Sequence, residues 1–219
     1  MPVSFFAGAE RMREEMKVLT VYFSKSGHTE KVARLIQEAA GGDLAEIRVK
    51  KGYTGSYWMT VIRGGLEKMR GVRPEIEPLG VDPAEYDVIF LGSPVWWFTA
   101  APAVKSFLDR ADLAGKTVCP FLTSGGSPKD SFQDMKALCT GNMENGMHIY
   151  FRKDEMMAGE DTVRSWAKAC AEAAKKNGCG RRRENDEEGE AVGAGARAGI
   201  GTSGSGRPGG VRRGERSGG

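Results

Sequence analysis

Cysteine and histidine are scarce in this 219-residue chain, which has four cysteines and two histidines. The four cysteines form no C-x-x-C pair and have no histidine at ligand spacing; they are Cys119, Cys139, Cys170 and Cys179. The sequence therefore predicts neither a zinc site nor a redox dithiol, and Cys119, inside an apolar run, is expected in the core. The two histidines fit no Ser/His/Asp or Cys/His pattern, so hydrolysis is poorly supported and no catalytic side chain is assigned.

Long apolar runs and targeting signals are also missing. No stretch approaches the ~18 apolar residues of a membrane span, and residues 1–15 lack the charged and apolar regions of an export signal. We therefore expect a cytoplasmic protein with no membrane contact. Because a predicted strand begins directly after Met16, residues 1–15 are interpreted as a short arm or as untranslated. An intact mass that included Met1 or Pro2 would exclude the second interpretation.

The chain has little excess charge, and most of the net charge of +3 comes from its last residues. Residues 181–219 hold eight arginines and six acids, which leaves 24 basic and 23 acidic residues elsewhere. A near-neutral body argues against nucleic acid as a partner. The end of the chain has no aromatic residue and is mostly Gly, Ala, Arg and Ser, so we predict a disordered low-complexity tail over 178–219. One domain remains, over 16–177.

Within that domain, apolar runs of strand length alternate with segments of helix length. Strands are predicted at Lys17–Phe23, Asp43–Val49, Tyr86–Gly92, Lys116–Thr123 and Met147–Phe151. Helices are predicted at Glu30–Ala40, Tyr57–Met69, Pro102–Ala111, Ser131–Leu138 and Glu160–Lys176. This alternation predicts an α/β fold with a five-stranded parallel sheet and helices on both faces. Ligands of such sheets bind at the carboxyl ends of the strands, so we expect the loops after the first, third and fourth strands to converge.

The loop after the first strand is rich in hydroxyl groups. Ser24, Ser26 and Thr29 surround Gly27 directly before a predicted helix. Free N–H groups and the positive end of the helix dipole make such a position suitable for an anion, and Gly27 allows close approach of the backbone. An equally good interpretation is that Ser26 or Thr29 only caps the helix.

The loop after the third strand contains three consecutive aromatic residues, Trp96, Trp97 and Phe98. They cannot all point into the core, so at least one should be exposed or cover a ligand. A flat apolar ring stacks well on tryptophan. The alternatives are an aromatic plug between helices and a patch at a homodimer interface.

The loop after the fourth strand runs from Thr123 to Pro128 and contains the pair Gly125 and Gly126. Its backbone N–H groups are able to face the edge of a ligand. A Gly-Gly turn before a helix that is capped by Ser127 explains the loop equally well. Other phosphate motifs are missing, since there is no G-x-x-x-x-G-K-[ST] and no G-x-G-x-x-G follows a strand.

Together these three loops resemble those of the flavodoxin-like family of FMN-binding proteins, in particular its short oxidoreductases. The motifs that carry the resemblance are Y-F-S-x-S-G-x-T at 22–29, I-F-L-G-S-P-V-W-W at 89–97 with Pro102, and F-x-T-S-G-G-S at 121–127. The resemblance implies the strand order 2-1-3-4-5. It also implies phosphate contacts from Ser24, Ser26, Gly27, His28 and Thr29, isoalloxazine contacts from Pro94, Val95, Trp96, Trp97 and Phe98, and contacts with the pyrimidine side from Thr123, Ser124, Gly125, Gly126 and Ser127.

The resemblance also implies electron transfer through FMN, and an oxidoreductase that passes electrons from NAD(P)H to a small quinone-like acceptor is the leading hypothesis. An open aromatic loop and a near-neutral body favour this hypothesis over an electron carrier, because carriers of this family are usually acidic. A carrier served by a reductase and a cofactor-free binding module are the alternatives. His28 stands where relatives often carry asparagine, and it is either a phosphate contact or an exposed bystander.

Overall fold

The structure is a computed structural model that describes residues 16–50 and 71–176. The predicted arm at 1–15, the predicted helix at Tyr57–Met69 and the predicted tail at 178–219 lie outside the described residues. Across the described ranges, no helix combines the length and the apolar composition that crossing a membrane requires.

A mostly parallel sheet forms the centre of the fold. Its main strands are β1 (Val18–Tyr22), β2 (Asp43–Glu46), β3 (Val88–Trp96), β5 (Thr117–Ser124) and β7 (Met147–Arg152). Short strands β4 (Thr99–Ala100), β6 (Asn142–Met143) and β8 (Glu155–Met156) pair with β3, β5 and β7 respectively. The main strands lie in the order β2-β1-β3-β5-β7 and run parallel, which confirms the predicted order 2-1-3-4-5.

Helices cover both faces of the sheet, as the alternation of elements predicted. They are α1 (His28–Ala40), α2 (Pro102–Leu108), α3 (Ser131–Leu138) and α4 (160–176), with a 3₁₀ turn at Pro83–Glu85. Alternate residues of β1 point to opposite faces. Leu19 packs in the cluster that contains Phe107 of α2, and Val18 packs in the cluster that contains Ile36 of α1. Cys119 is fully buried, as predicted.

Three element ends differ from the prediction by three or four residues, while the other described bounds differ by at most two. The strand β2 ends at Glu46 rather than Val49, which forms an isolated bridge with Ile76. The helix α2 ends at Leu108 rather than Ala111. The strand β3 continues to Trp96, four residues beyond the predicted end, because β5 pairs with it up to Pro94 and β4 pairs with its last two residues. Much of the predicted aromatic loop is therefore strand and tight turn.

A hydrogen bond between side chains joins the first residue of β2 to Tyr86, which lies two residues before β3. The hydroxyl of Tyr86, whose ring is buried, donates to Oδ2 of Asp43 at 2.6 Å. This hydrogen bond, together with burial and the charge of Asp43, raises the pKa of Tyr86 to about 12. All three effects favour the neutral phenol, so the folded state holds this proton more tightly than the unfolded state does.

The Tyr86 hydrogen bond predicts a loss of stability at high pH. Below pH 10 wild type should be more stable than Tyr86→Phe by about 1 kcal/mol. This advantage should disappear between pH 10 and about 12, because the unfolded state loses the proton first and the folded state only later. Urea unfolding of both proteins from pH 7 to 12 measures the difference, and an advantage that grew with pH would contradict the assignment.

Candidate functional site

Two of the three predicted loops line one cleft at the carboxyl edge of the sheet. The cleft has a volume of about 360 Å³ and is lined by Val95, Trp96, Trp97, Phe98, Ser124, Gly125, Gly126 and Ser127. All of these residues were predicted site residues. Pro94, also predicted, lies in β3 opposite Thr123 in the register and is not among the lining residues.

The loop after β1, residues 24–29, is here named the hydroxyl loop. Gly27 is the N-cap of α1 with φ of 87°, a left-handed conformation that glycine adopts without strain, and no side chain caps the helix. The interpretation that Ser26 or Thr29 caps the helix is therefore wrong. Ser24 Oγ instead accepts a hydrogen bond from the Gly27 N–H at 3.1 Å. The first turn of α1 is left with N–H groups and a positive dipole end that suit an anion.

The hydroxyl loop is joined to the end of β5 by a buried contact. Oγ1 of Thr29 lies 2.8 Å from Oγ1 of Thr123, and both residues are almost fully buried. A hydrogen bond between hydroxyl groups without access to water holds its two partners in place. The predicted convergence of the first and fourth loops is thereby confirmed.

The last two residues of β3 form a hairpin with β4, named here the aromatic hairpin (residues 95–100), whose turn consists of Trp97 and Phe98. Their φ values are 49° and 61°, a conformation that hairpin turns usually give to Asn and Gly and that strains bulky residues. Trp97 is 46% exposed and Phe98 39% exposed, which confirms that the aromatic run is not wholly core. Backbone strain of this kind occurs preferentially at functional sites.

The remaining aromatic of the hairpin links it to the hydroxyl loop. The ring of Trp96 packs edge to face against Phe23, with centroids 5.7 Å apart, and Phe23 directly precedes Ser24. On the outer side, Nζ of Lys129 lies 4.0 Å from the centre of the Phe98 ring. These contacts place the aromatic hairpin beside the hydroxyl loop, so all three loops meet at one edge.

The loop after β5 is held by hydroxyl groups rather than by a helix cap. Asp130 is the N-cap of α3, and Ser127 Oγ accepts from the Lys129 N–H at 3.3 Å, so the alternative interpretation of Ser127 as the helix cap is wrong. Ser124 Oγ accepts from the Gly126 N–H at 3.2 Å and lies 2.8 Å from Nε2 of His148. Burial lowers the pKa of His148 and favours its neutral ring.

The side chain of His28 has partners on three sides. Its Nδ1 lies 3.2 Å from Ser26 Oγ, its Nε2 lies 3.0 Å from Oδ1 of Asp154, and its ring stacks on Phe151 with centroids 4.4 Å apart. The side chain is only 27% exposed. The interpretation of His28 as an exposed bystander is therefore wrong, while its contact with a phosphate stays a prediction.

Sequence reasoning missed the partners that lie outside the three loops. Phe151 and Asp154 come from the end of β7 and the turn that follows it, His148 from β7 itself, and Lys129 from the turn before α3. One signal was available, because all parallel strands end at the same edge and the loop after the fifth strand had to arrive there too.

The assembled site suits a ligand that has an anionic end and a flat aromatic end. The hydroxyl loop offers an uncapped helix N-terminus and the hydroxyl groups of Ser24 and Ser26. The cleft offers exposed indole and phenyl surface on one side and the glycine pair on the other. Hydrogen-bond donors for an anion therefore lie close to an apolar surface for stacking.

Comparisons with known proteins identify similar chains. The profile of the flavodoxin family matches residues 17–169. The crystal structure of a protein from Bacteroides uniformis, named as a flavoprotein, is 31% identical and has a TM-score of 0.58, covering 70% of this chain and 98% of that one. A similarly named protein from Bacteroides eggerthii is 32% identical with a TM-score of 0.55, covering 71% and 98%.

A third solved structure contains a ligand. It is a flavoprotein from Lactobacillus acidophilus in complex with FMN, 27% identical with a TM-score of 0.53, and the match covers 61% of this chain and 93% of that one. Comparison with curated proteins gave no match.

Proposed function

Because this chain belongs to the flavodoxin family, we propose that it binds FMN non-covalently at the carboxyl edge of its sheet and transfers electrons through it. The observation that carries the proposal is the meeting of the hydroxyl loop, the aromatic hairpin and the glycine pair at one edge. The Lactobacillus acidophilus flavoprotein, which shares this fold, was solved with FMN.

The residues present fit the two ends of FMN. The phosphate would be held by the hydroxyl loop through Ser24, Ser26, Gly27, His28 and Thr29, where the uncapped start of α1 supplies N–H donors. The flat ring would lie in the aromatic cleft, with Trp97 as the main stacking surface and Trp96 controlling access. Thr123, Ser124, Gly125, Gly126 and Ser127 would face the pyrimidine side of the ring.

We propose further that the protein is an oxidoreductase that takes electrons from NAD(P)H and reduces a small quinone-like acceptor. Bound FMN supplies the electron-transfer chemistry. The protein positions it, excludes water from one side of the ring and leaves an open mouth beside the exposed Trp97 and Phe98. Its near-neutral body, with 24 basic and 23 acidic residues outside 181–219, lacks the strong charge that would attract a redox protein.

The FMN proposal predicts saturable binding. Adding the protein to FMN should quench the flavin fluorescence with one site per chain, because a ring stacked on indole loses its emission to the neighbouring aromatic. Riboflavin, which lacks the phosphate, should bind at least tenfold more weakly since it makes no contact with the hydroxyl loop. A protein that is isolated without flavin and does not bind added FMN would contradict the proposal.

The proposed electron donor is tested in a separate experiment. The FMN-loaded protein is mixed with NADH or NADPH in a stopped-flow instrument without oxygen. Rapid bleaching of the flavin absorbance by either nucleotide is expected for an oxidoreductase. An electron carrier that depends on a reductase would be bleached extremely slowly by both nucleotides. That result would overturn the oxidoreductase proposal and leave the FMN proposal in place.

A further inference from the structure

We infer that His28 is a protonation-dependent positioning residue, which controls through Ser26 how strongly the hydroxyl loop binds a phosphate. The inference deepens the proposed function and rests on it, because the phosphate is that of FMN. According to this inference, the affinity for the cofactor depends on pH because of one side chain. The other residues of the hydroxyl loop would not cause this dependence.

The geometry leaves the ring of His28 only one neutral arrangement. Asp154 offers a carboxylate oxygen 3.0 Å from Nε2, and a carboxylate only accepts hydrogen bonds, so Nε2 carries a proton. In the neutral ring Nδ1 is then unprotonated. It accepts the hydroxyl hydrogen of Ser26, whose Oγ lies 3.2 Å away. The Ser26 hydroxyl therefore cannot donate to an anion.

Protonation of the ring reverses the second hydrogen bond. Both nitrogens of the imidazolium are donors, so Nδ1 donates to Ser26 Oγ, and the hydroxyl hydrogen of Ser26 is released. That hydrogen becomes available to an oxygen of a phosphate in the hydroxyl loop. The same step adds one positive charge beside the anion site. Protonation thus adds a donor and a charge, and both strengthen phosphate binding.

The structure also holds the ring in the position that this switch needs. His28 is the first residue of α1, and its ring stacks on Phe151 at an interplanar angle of 15°. The stack and the bond to Asp154 connect the hydroxyl loop to the β7–β8 turn, 126 residues later in the sequence. The ring is therefore held on its face by Phe151, and the solvent-exposed carboxylate of Asp154 contacts Nε2 while Nδ1 points to Ser26.

Other charged groups on the elements around His28 are paired with each other. On α1, Glu30 pairs with Arg34, and Lys31 pairs with Glu160 of α4. Arg152 and Glu155 pair across the β7–β8 turn. Lys25 and Lys153 are the remaining charged neighbours in sequence, before His28 and before Asp154. Of the described residues, Asp154 is the charged group that the structure places in hydrogen-bond contact with the ring.

A phosphate monoester has a titration of its own, which must be separated from that of His28. Its second pKa is about 6, so FMN loses negative charge at low pH and binding to a fixed positive site weakens. His28 acts in the opposite direction. The ratio of the dissociation constants of a variant and of wild type at one pH removes the contribution of the ligand, because both proteins bind the same FMN.

The test compares wild type with two variants. His28→Phe keeps an aromatic ring against Phe151 and removes both hydrogen bonds. His28→Asn keeps an amide N–H group, which is able to donate a hydrogen bond at every pH. Dissociation constants for FMN and riboflavin are measured by fluorescence quenching from pH 5.5 to 8.5. The dissociation constant of His28→Phe for FMN, divided by that of wild type, should rise roughly three- to tenfold toward low pH. This is the gain expected in wild type when its ring becomes a charged donor. The ratio for riboflavin should stay constant.

Two further variants test the pathway through Ser26. Ser26→Ala should reduce the dependence of FMN affinity on pH, because the released hydroxyl hydrogen no longer exists, and should leave the part that comes from the charge of the ring. Asp154→Asn should reduce the dependence of FMN affinity on pH, because an amide is able to donate to Nε2 and then leaves Nδ1 as a donor to Ser26 Oγ even in the neutral ring. A dependence on pH that is unchanged in Ser26→Ala would overturn the role of Ser26.

The outcomes separate this inference from the proposed function. The inference is overturned, and FMN binding stands, if the dissociation constants of His28→Phe and His28→Asn for FMN keep the same ratio to that of wild type at every pH. A purely structural role of His28 would give the same result and would also weaken riboflavin binding. If wild type binds no FMN at any pH, the proposed function fails and the inference fails with it.

Discussion

Replacing Trp97 with glycine is expected to weaken FMN binding roughly ten- to a hundredfold, while the stability of the fold changes by no more than about 1 kcal/mol. The loss of affinity follows from removing the indole that forms the exposed wall of the cleft. The small effect on stability has a different cause. At φ of 49° tryptophan is strained by about 1–2 kcal/mol and glycine is not, so relief of strain offsets the lost contacts of a half-exposed ring.

Two controls make the Trp97 experiment specific. Trp97→Phe keeps a flat ring at the same position and should bind FMN within about threefold of wild type. Met157→Ala removes an equally exposed apolar side chain, 47% exposed, that does not line the cleft. It should change neither the affinity for FMN nor the stability of the fold. Equal affinity for FMN in Trp97→Gly and wild type would show that the ring does not stack there.

Replacing Gly42 with alanine is expected to destabilise the fold by about 3–4 kcal/mol. Gly42 has φ of 83°, which costs an alanine about 1 kcal/mol or more. In addition, a Cβ atom built there would lie 2.0 Å from the carbonyl oxygen and 2.7 Å from the carbonyl carbon of Val18. Val18 is paired with Val88 in the centre of the sheet, so its backbone cannot retreat without disturbing the ladder.

The neighbouring glycine is the matched control. Gly41 has a similar φ of 77°, but a Cβ atom there would meet nothing within 4 Å. Gly41→Ala should therefore cost only the conformational strain, about 1–3 kcal/mol, because φ of 77° with ψ of −168° is a conformation that essentially only glycine adopts. Urea unfolding followed by tryptophan fluorescence measures both variants, and the difference between them isolates the steric contact. Equal destabilisation by the two substitutions would mean that the α1–β2 turn relaxes freely away from Val18.

Much of the fold could be predicted because its signals are local. The helix Ser131–Leu138 has the predicted bounds, and the apolar runs around Phe90 and Phe121 are buried strands in the predicted order. Such runs and their spacing are decided by which residues can be buried on both faces of a sheet. The ends of β2 and β3 could not be predicted, since they depend on where a partner strand stops.

The three loops of the candidate site could be predicted from the sequence, but the contacts between their residues could not. Runs of hydroxyls, aromatics and glycines after three strands marked the three loops. Whether Ser26 caps a helix or faces an anion was undecidable from the sequence, because both roles use the same residue types at the same spacing. The structure excludes the cap, because the N-cap is Gly27 and no side-chain hydrogen bond caps the helix, and the contact of Ser26 with an anion stays a prediction.

The sequence by itself determined the order of the elements, the buried strands and the chemical character of each loop, because these depend on composition and period along the chain. Only the tertiary structure decided which side chains meet. It brought His28 to Asp154 and Phe151, joined Thr29 to Thr123, and turned Trp97 outward on a strained hairpin. These contacts join residues up to 126 positions apart, and they exist only because parallel strands end at one common edge.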